Sequence, residues 1–183
     1  MAMWNRKLLC FLAVFCLISS ARGDSFPTRE EVLTSIFPKS DIQAERVFLT
    51  RAQQQEAVLI SGVKVPSALI ARYIAWKGGK EVGRAYVDTH VVRTKKESLL
   101  ICLDAKGVLR RIEVTAFREP LDYMVSDRFY AQYHGKVLSN SLVIQRSIRP
   151  VAGATLTTKA TNRAVRRILA IDQVLRLKEG SPL

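Results

Sequence analysis

Cysteine and histidine are scarce in this sequence, which limits the metal and thiol chemistry that it can support. It has three cysteines, Cys10, Cys16 and Cys102, and two widely separated histidines, His90 and His134. These residues match no common spacing of metal ligands, so no metal site is predicted. Cys102 lies in an apolar run typical of a buried strand, where a cysteine is usually a structural thiol and not a reactive one.

The sequence also lacks the motifs that mark most common enzymes and nucleic-acid-binding proteins. It has no dinucleotide glycine fingerprint, P-loop or nucleophile elbow, and no acid/base or nucleophile set of the usual kinds. We therefore predict no catalytic residues. No helix-turn-helix, zinc-finger or RNA-binding aromatic signature is present either, and internal repeats and low-complexity tracts are absent.

An apolar run near the N-terminus, residues 8–18, is shorter than the roughly 20 residues that span a bilayer. It follows two basic residues and ends in small ones, which is the layout of a secretory signal. Residues 1–23 are therefore predicted to be a signal peptide cleaved after Ala21 or Gly23, with an uncleaved, tilted anchor as the alternative. The protein is expected to be exported to the periplasm or the outer face of the cytoplasmic membrane.

Acidic residues are outnumbered by basic ones. The chain has 29 lysines and arginines against 16 acidic residues, for a formal net charge of +13. Without residues 1–23 the balance is 26 to 16, or about +10. Nucleic acid would be the usual partner of such a charge, but export argues against it. An anionic cofactor phosphate, an acidic partner or an anionic membrane surface fits better.

The middle of the chain predicts a β-meander. Strands at 69–76 and 82–92 flank a Gly-Gly turn, and strands at 98–103 and 108–117 flank a second hairpin loop. Hairpins imply antiparallel pairing, so the fold class is α+β in a single domain, residues 24–183. Alternation along the last strand predicts a sheet with one face in solvent: Val108, Ile112, Val114 and Ala116 face one way, and Leu109, Arg111, Glu113 and Thr115 the other.

Helices are predicted both before and after the meander in the sequence. Thr28 and Thr50 each begin a helix, because a Glu or Gln follows three residues later, and a strand at 42–49 lies between them. A third helix, at 126–133, carries three aromatic residues at helical spacing. Such aromatics are usually core residues, and a stacking platform for a ring is the alternative. The three are Phe129, Tyr130 and Tyr133.

Residues 150–158 form a loop rich in small residues that is predicted to become a long C-terminal helix at its threonines. Thr157 or Thr158 is the predicted N-cap, and apolar residues repeat at helical spacing over 159–176. Gly153 and Ala154 allow the backbone to approach a ligand closely, and the free N–H groups of the first turn favour an anion, phosphate above all. A tightly packed helix start is the alternative.

The stretch Gly153-Ala154-Thr155-Leu156-Thr157 resembles the flavin-attachment motif of the FMN-binding domain family. That family includes the C subunit of the sodium-translocating NADH:quinone oxidoreductase and the G subunit of the Rnf complex. Segments 86–94, 116–120 and 164–170 resemble its secreted single-domain members, so the resemblance covers most of the chain after about Pro27.

The resemblance implies an exported electron-transfer domain with FMN as cofactor, and envelope electron-transfer proteins or a membrane redox complex as partners. It assigns the flavin phosphate to Gly153, Ala154, Thr155 and Thr157. In covalently flavinylated members a flavin transferase joins FMN at the position of Thr155. Arg149 stands where those members have Asp, so we expect mainly non-covalent binding, with Arg149 near the phosphate.

Two further alternatives stay open at this point. His90 lies near the end of a predicted strand, where it could hydrogen-bond the flavin ring with Asp88 fixing its tautomer, or be a structural histidine satisfied by its neighbours. Arg118 and Glu119 either form a loop ion pair or line a pocket. For the whole protein, the alternative function is a cofactor-free adaptor that docks on a membrane redox complex.

Overall fold

The computed structural model describes residues 25–178, which form one five-stranded sheet and four α-helices. The predicted signal peptide, residues 1–23, lies outside the described residues. In chain order the elements are α1 (Arg29–Ile36), β1 (Asp41–Phe48), α2 (Arg51–Ser61), β2 (Leu69–Lys77), β3 (Lys80–Val91), β4 (Lys96–Asp104), β5 (Leu109–Phe117), a short 3-10 turn (Leu121–Tyr123), α3 (Asp127–Ala131) and α4 (Thr155–Lys178).

The five strands follow one another in the sheet in chain order, and every neighbouring pair is antiparallel. The predicted α+β class and β-meander are confirmed. Gly78 and Gly79 form the turn between β2 and β3 with φ of +58° and +73°, values that favour glycine because it lacks a Cβ. No helix within residues 25–178 is both long enough and apolar enough to cross a membrane.

Helix α4 lies at the centre of the fold, where it packs on the sheet and against α2. Between residues 157 and 176 only Lys159 and Arg163 are exposed. Arg166, a charged residue of this helix, is buried as well. Its guanidinium donates to the carbonyl oxygens of Ser61, at 2.7 and 2.9 Å, and Ser139, at 2.8 Å. This side chain therefore ties the end of α2 and the loop before α4 to the central helix.

The prediction that one face of the sheet is in solvent holds only in part: Arg111 is exposed as expected, but other residues of that face are buried. Helix α1 covers part of that face with Val32, Leu33 and Phe37, which pack on strand residues that include Cys102. Burial raises the pKa of the Cys102 thiol to about 12, as expected for a structural cysteine. Leu109, predicted to face solvent, is fully buried. The register of β4 and β5 shifts between Cys102 and Leu103, so Leu109 lies on the opposite face of the sheet from the one that strict alternation along β5 predicts.

Local signals located two helix starts and missed a third. Both capping boxes form, at Thr28 and at Thr50. Helix α4 begins at Thr155, before the predicted N-cap. The hydroxyl groups of Thr157 and Thr158 have other partners: Thr157 Oγ1 donates to the carbonyl oxygen of Tyr123 at 2.6 Å, and Thr158 Oγ1 donates to that of Thr155 at 2.9 Å.

The aromatic residues of the third predicted helix are core residues. Helix α3 is shorter than expected, and Phe129, Tyr130 and Tyr133 are all buried. Phe129 meets both tyrosine rings edge-on at centroid distances of 5.7 Å, a favourable arrangement of aromatic rings. The stacking-platform alternative is therefore wrong for these three residues.

Candidate functional site

A pocket of about 180 Å³ opens at the amino end of α4. Three segments that are distant in sequence form it: the turn after β3 with Val92 and Arg93, the segment after β5 with Glu119 and Tyr123, and residues 153–157. Four of the predicted site residues therefore lie together, in the last of these segments. The other two segments supply a cation, a carboxylate and an aromatic ring.

The first turn of α4 presents unpaired backbone N–H groups to this pocket. The first helical hydrogen bond runs from Thr158 N to Ala154 O, at 3.0 Å. Within the described part of the chain, the N–H groups of Thr155, Leu156 and Thr157 have no acceptor. Gly153 turns the chain into the helix with a φ of +81°, and the space where a Cβ would sit is open. Free N–H groups and the helix dipole together favour an anion here.

Glu119 holds the turn that carries Arg93. Only 7% of this residue is exposed, and its Oε1 accepts hydrogen bonds from the backbone N–H groups of Thr94 and Lys95, both at 2.6 Å, and of Arg93 at 3.3 Å. These backbone donors hold the pKa of the Glu119 carboxyl below its usual value. The carboxylate thus stays ionised at neutral pH. Of the two alternatives for Glu119, the structure shows the pocket-lining one.

Tyr123 and its neighbours give the mouth of the pocket an apolar rim. The Arg93 guanidinium carbon lies 5.9 Å from the centre of the Tyr123 ring, which is within cation–π range. Tyr123 is 39% exposed and Leu156 is 50% exposed, and both line the pocket. Since Thr157 Oγ1 is committed to the Tyr123 carbonyl, Thr155 carries the available hydroxyl of this segment: it is exposed and has no described partner.

Two of the predicted site residues do not line the pocket. Arg149 is exposed, and its backbone N–H and C=O bond the side-chain amide of Gln132 at 2.8 and 3.2 Å. His90 belongs instead to a buried group that we call the His90 cluster: Asp88, His90, Glu97, Tyr130 and Arg167.

In the His90 cluster both imidazole nitrogens face carboxylates. Nδ1 lies 2.9 Å from Asp88 Oδ1, and Nε2 lies 3.0 Å from Glu97 Oε2 at an angle outside that of a hydrogen bond. Asp88 also accepts two hydrogen bonds from Arg167, and Glu97 Oε1 accepts one from the Tyr130 hydroxyl at 3.1 Å. His90 is therefore held by its neighbours, which favours the structural alternative: Nδ1 bonds Asp88, while Nε2 is buried beside Glu97 without a hydrogen bond. The expected contact between Asp88 and His90 is present.

Sequence reasoning missed Arg93 as a pocket residue and did not choose between the roles of Glu119. Arg93 lies in segment 86–94 and Glu119 in segment 116–120, but the resemblance assigned neither residue a role, and 26 positions separate them. Among residues 25–178, no group of three His, Cys, Asp or Glu side chains is placed to hold a metal ion. Comparisons with protein-family models, curated proteins and solved structures give no match for this chain.

Proposed function

We propose that the protein is an exported FMN-binding domain that transfers electrons, and that its pocket holds the phosphate-bearing end of the cofactor. The observation that carries this proposal is the first turn of α4. Its three unpaired N–H groups open into a pocket next to Arg93. These N–H donors and the Arg93 cation need a negative charge and hydrogen-bond acceptors, and a phosphate supplies both.

The size of the pocket supports one end of FMN and not the whole molecule. Pockets that enclose an entire small-molecule ligand measure about 300–1,000 Å³, whereas this one measures about 180 Å³. The phosphate and polyol chain suit that volume. The exposed apolar side chains that line it, Tyr123 and Leu156, would then support the ring. Bound FMN would supply the redox chemistry, and a ring at the surface suits a carrier because partners can approach it.

We infer that the cofactor is held without a covalent bond. Thr155 lines the pocket with an exposed hydroxyl, so it can donate a hydrogen bond to a phosphate oxygen. Arg149 stands where covalently flavinylated proteins of the resembled family have Asp. The chain's own contribution is therefore position and charge: N–H groups and Arg93 for the anion, and apolar side chains for the ring.

The alternative function is a cofactor-free adaptor that docks on a membrane redox complex through a basic surface. The net charge of about +10 without residues 1–23 favours it, and so does a pocket too small for a whole flavin. The N–H groups of the first turn of α4 lie in a pocket that Arg93 also lines, and we prefer the flavin because this combination favours an anion.

The test is spectroscopic and uses the full chain, purified from its native envelope. We expect the visible absorption bands of an oxidised flavin, and we expect denaturation to release the flavin into the supernatant. A protein without flavin that also fails to bind added FMN would overturn the cofactor and leave the adaptor.

A second experiment tests the mode of binding. The protein is co-expressed with a flavin transferase and its mass is measured after denaturation. A mass increase of one FMN that maps to Thr155 and disappears in Thr155→Val would overturn non-covalent binding. Thr34→Val is the matched control, because Thr34 is an exposed threonine on α1 away from the pocket.

A further inference from the structure

Helix α1 covers only one end of its face of the sheet. It packs on strand residues that include Ala75, Ala85 and Cys102, which lie toward the β2–β3 and β4–β5 turns. The other end of the same face has no helix on it. We call this part the open end and define it by five residues: Arg46, Phe48, Leu69, Val91 and Lys96.

Alternation along the strands and their register place these five residues on the α1 side. Leu69 precedes Ala75 on β2, and Val91 follows Ala85 on β3, by an even number of positions, so their side chains point the same way. Phe48 lies opposite Leu69, and Arg46 lies opposite Ala71. Lys96 lies opposite Val91. Directly opposite residues of an antiparallel pair share a face, so the five form one surface.

The open end exposes apolar side chains to solvent. Phe48 is 71% exposed, Leu69 is 45% exposed and Val91 is 51% exposed. Phe48 and Leu69 are cross-strand neighbours, so they are not scattered single residues. Exposed apolar side chains that lie together within a polar rim mark interaction surfaces.

The rim of the open end is positively charged. Arg46 and Lys96 are exposed, and so are two further cations beside them, Lys95 and Arg118. Lys95 precedes Lys96 in the chain, and the backbone N–H of Arg118 donates to the carbonyl oxygen of Lys96 at 3.0 Å. Within residues 25–178, none of these four side chains has an ion pair or a hydrogen bond.

No carboxylate balances this charge on the open end. The acidic residues of the same strand ends, Glu45 and Glu97, point to the other face of the sheet. There they lie beside Arg72 and His90. The surface therefore requires a partner that supplies negative charge to the rim and an apolar environment to the centre.

An anionic lipid membrane meets both requirements. A second copy of this surface would bring like charges together and be repelled, and the cores of protein interfaces are depleted in lysine. Lipid phosphates approach cations from any direction, and apolar side chains enter the boundary between headgroups and acyl chains.

We propose that the open end is a docking surface for an anionic lipid membrane. Phe48, Leu69 and Val91 enter the headgroup layer, and the surrounding lysines and arginines pair with lipid phosphates. The inference goes beyond the proposed function and holds whether or not the protein carries FMN.

Vesicle sedimentation tests the proposal on protein purified from its native envelope. One set of vesicles contains phosphatidylglycerol and phosphatidylcholine in equal parts, and the other contains phosphatidylcholine alone. We expect the protein to bind the anionic vesicles more tightly, and this binding should weaken as salt is added, because salt screens exposed charges. This comparison uses the unmodified protein, so it does not depend on whether any variant folds.

A matched pair of double variants then locates the surface. Lys95→Gln with Lys96→Gln should weaken binding to anionic vesicles about 25-fold, because each basic residue near such a surface contributes about fivefold. Lys80→Gln with Lys106→Gln is the control. It removes the same charge from exposed lysines at the other end of the sheet, and it should weaken binding far less.

Fluorescence reports the apolar contact directly. In Phe48→Trp, the emission of the new indole should shift to the blue when anionic vesicles are added, because the indole leaves water. Leu59→Trp is the control, since Leu59 is 82% exposed on α2, away from the open end, and its emission should not change.

Several results would overturn the proposal. One is equal binding to both kinds of vesicle, and another is binding to neither. A third is a Lys80/Lys106 variant that weakens binding as much as the Lys95/Lys96 variant, and a fourth is bound protein in which the Phe48→Trp emission does not shift. If vesicle binding is absent and an acidic envelope protein copurifies with the unmodified chain but not with the Lys95/Lys96 variant, the open end binds a protein instead.

Discussion

Arg167 donates two parallel hydrogen bonds to Asp88, from Nε to Oδ2 and from Nη2 to Oδ1, both at 2.8 Å. The pair joins the central helix α4 to strand β3 across 79 residues of sequence. Both side chains are about nine-tenths buried, so water screens the two charges only weakly. The fork of the guanidinium fits the carboxylate in one orientation, and the pair therefore fixes which side of α4 faces the sheet.

The first prediction concerns this pair. Asp88→Asn should lower the free energy of unfolding by about 3–5 kcal/mol, because it leaves the Arg167 charge buried without a counter-charge. Urea unfolding followed by circular dichroism measures the loss. Glu113→Gln is the matched control: its partner, Arg111, is about half exposed, and such surface pairs contribute about 1 kcal/mol or less. Similar small losses in both variants would contradict the assigned role of Asp88.

The second prediction is a loss of stability at alkaline pH that depends on His90. Burial lowers the pKa of His90, but the hydrogen bond with Asp88 and the negative charges of Asp88 and Glu97 outweigh that effect and hold the pKa above its usual 6.5. Protonated His90 therefore stabilises the fold fully below about pH 6.5, and this contribution is lost as the pH rises through the higher pKa of the folded state. The free energy of unfolding should fall in that range.

Urea titrations at a series of pH values on both sides of neutrality measure this slope. His90→Gln should flatten it, and His134→Gln, which changes an exposed histidine, should leave it unchanged. Asp88 contributes to the pH dependence in a different pH range. Burial raises its pKa, but His90 and Arg167 outweigh that effect and lower it, so its contribution is lost only in acid. A slope that is the same in all three proteins would show that His90 does not titrate as inferred.

The third prediction tests the packing of α4. Ile168 is buried in the main core, so Ile168→Ala should cost about 2–5 kcal/mol, the usual range for removing a large aliphatic side chain from a core. Leu59→Ala on α2 is the control, because Leu59 is 82% exposed, and it should change stability by about 0.5 kcal/mol or less. Thermal or urea unfolding measures the loss of stability in the two variants. A loss in Ile168→Ala as small as that in Leu59→Ala would show that α4 is not central to the core.

Local signals account for the parts of the fold that the sequence predicted. Gly78 and Gly79 mark a hairpin by themselves, and the Thr28 capping box needs only residues within one helical turn. The burial of Arg166 could not be predicted in this way. Its partners, Ser61 and Ser139, come from two other parts of the chain, and nothing in the helical repeat shows that a loop covers that side of α4.

The candidate site likewise has one part that local sequence predicts and another part that only the folded structure brings together. The loop at 153–157 stands out in the sequence because glycine and small residues precede a helix, which is a local pattern. Arg93 and Glu119 reach the pocket only because β3, β4 and β5 pair in register, and their own neighbours in sequence give no sign of it. His90 was placed near the site because it lies near the end of a predicted strand, but its side chain lies between two carboxylates, those of Asp88 and Glu97.

The central position of α4 also sets the order in which this domain can fold. The helix is the last element of the described chain, yet it is the main packing partner of one sheet face. Until residues 155–178 have left the ribosome, that face of the meander lacks the largest element that covers it. The growing chain must therefore remain loosely folded and accessible to chaperones, and cooperative folding begins only after α4 has been synthesised.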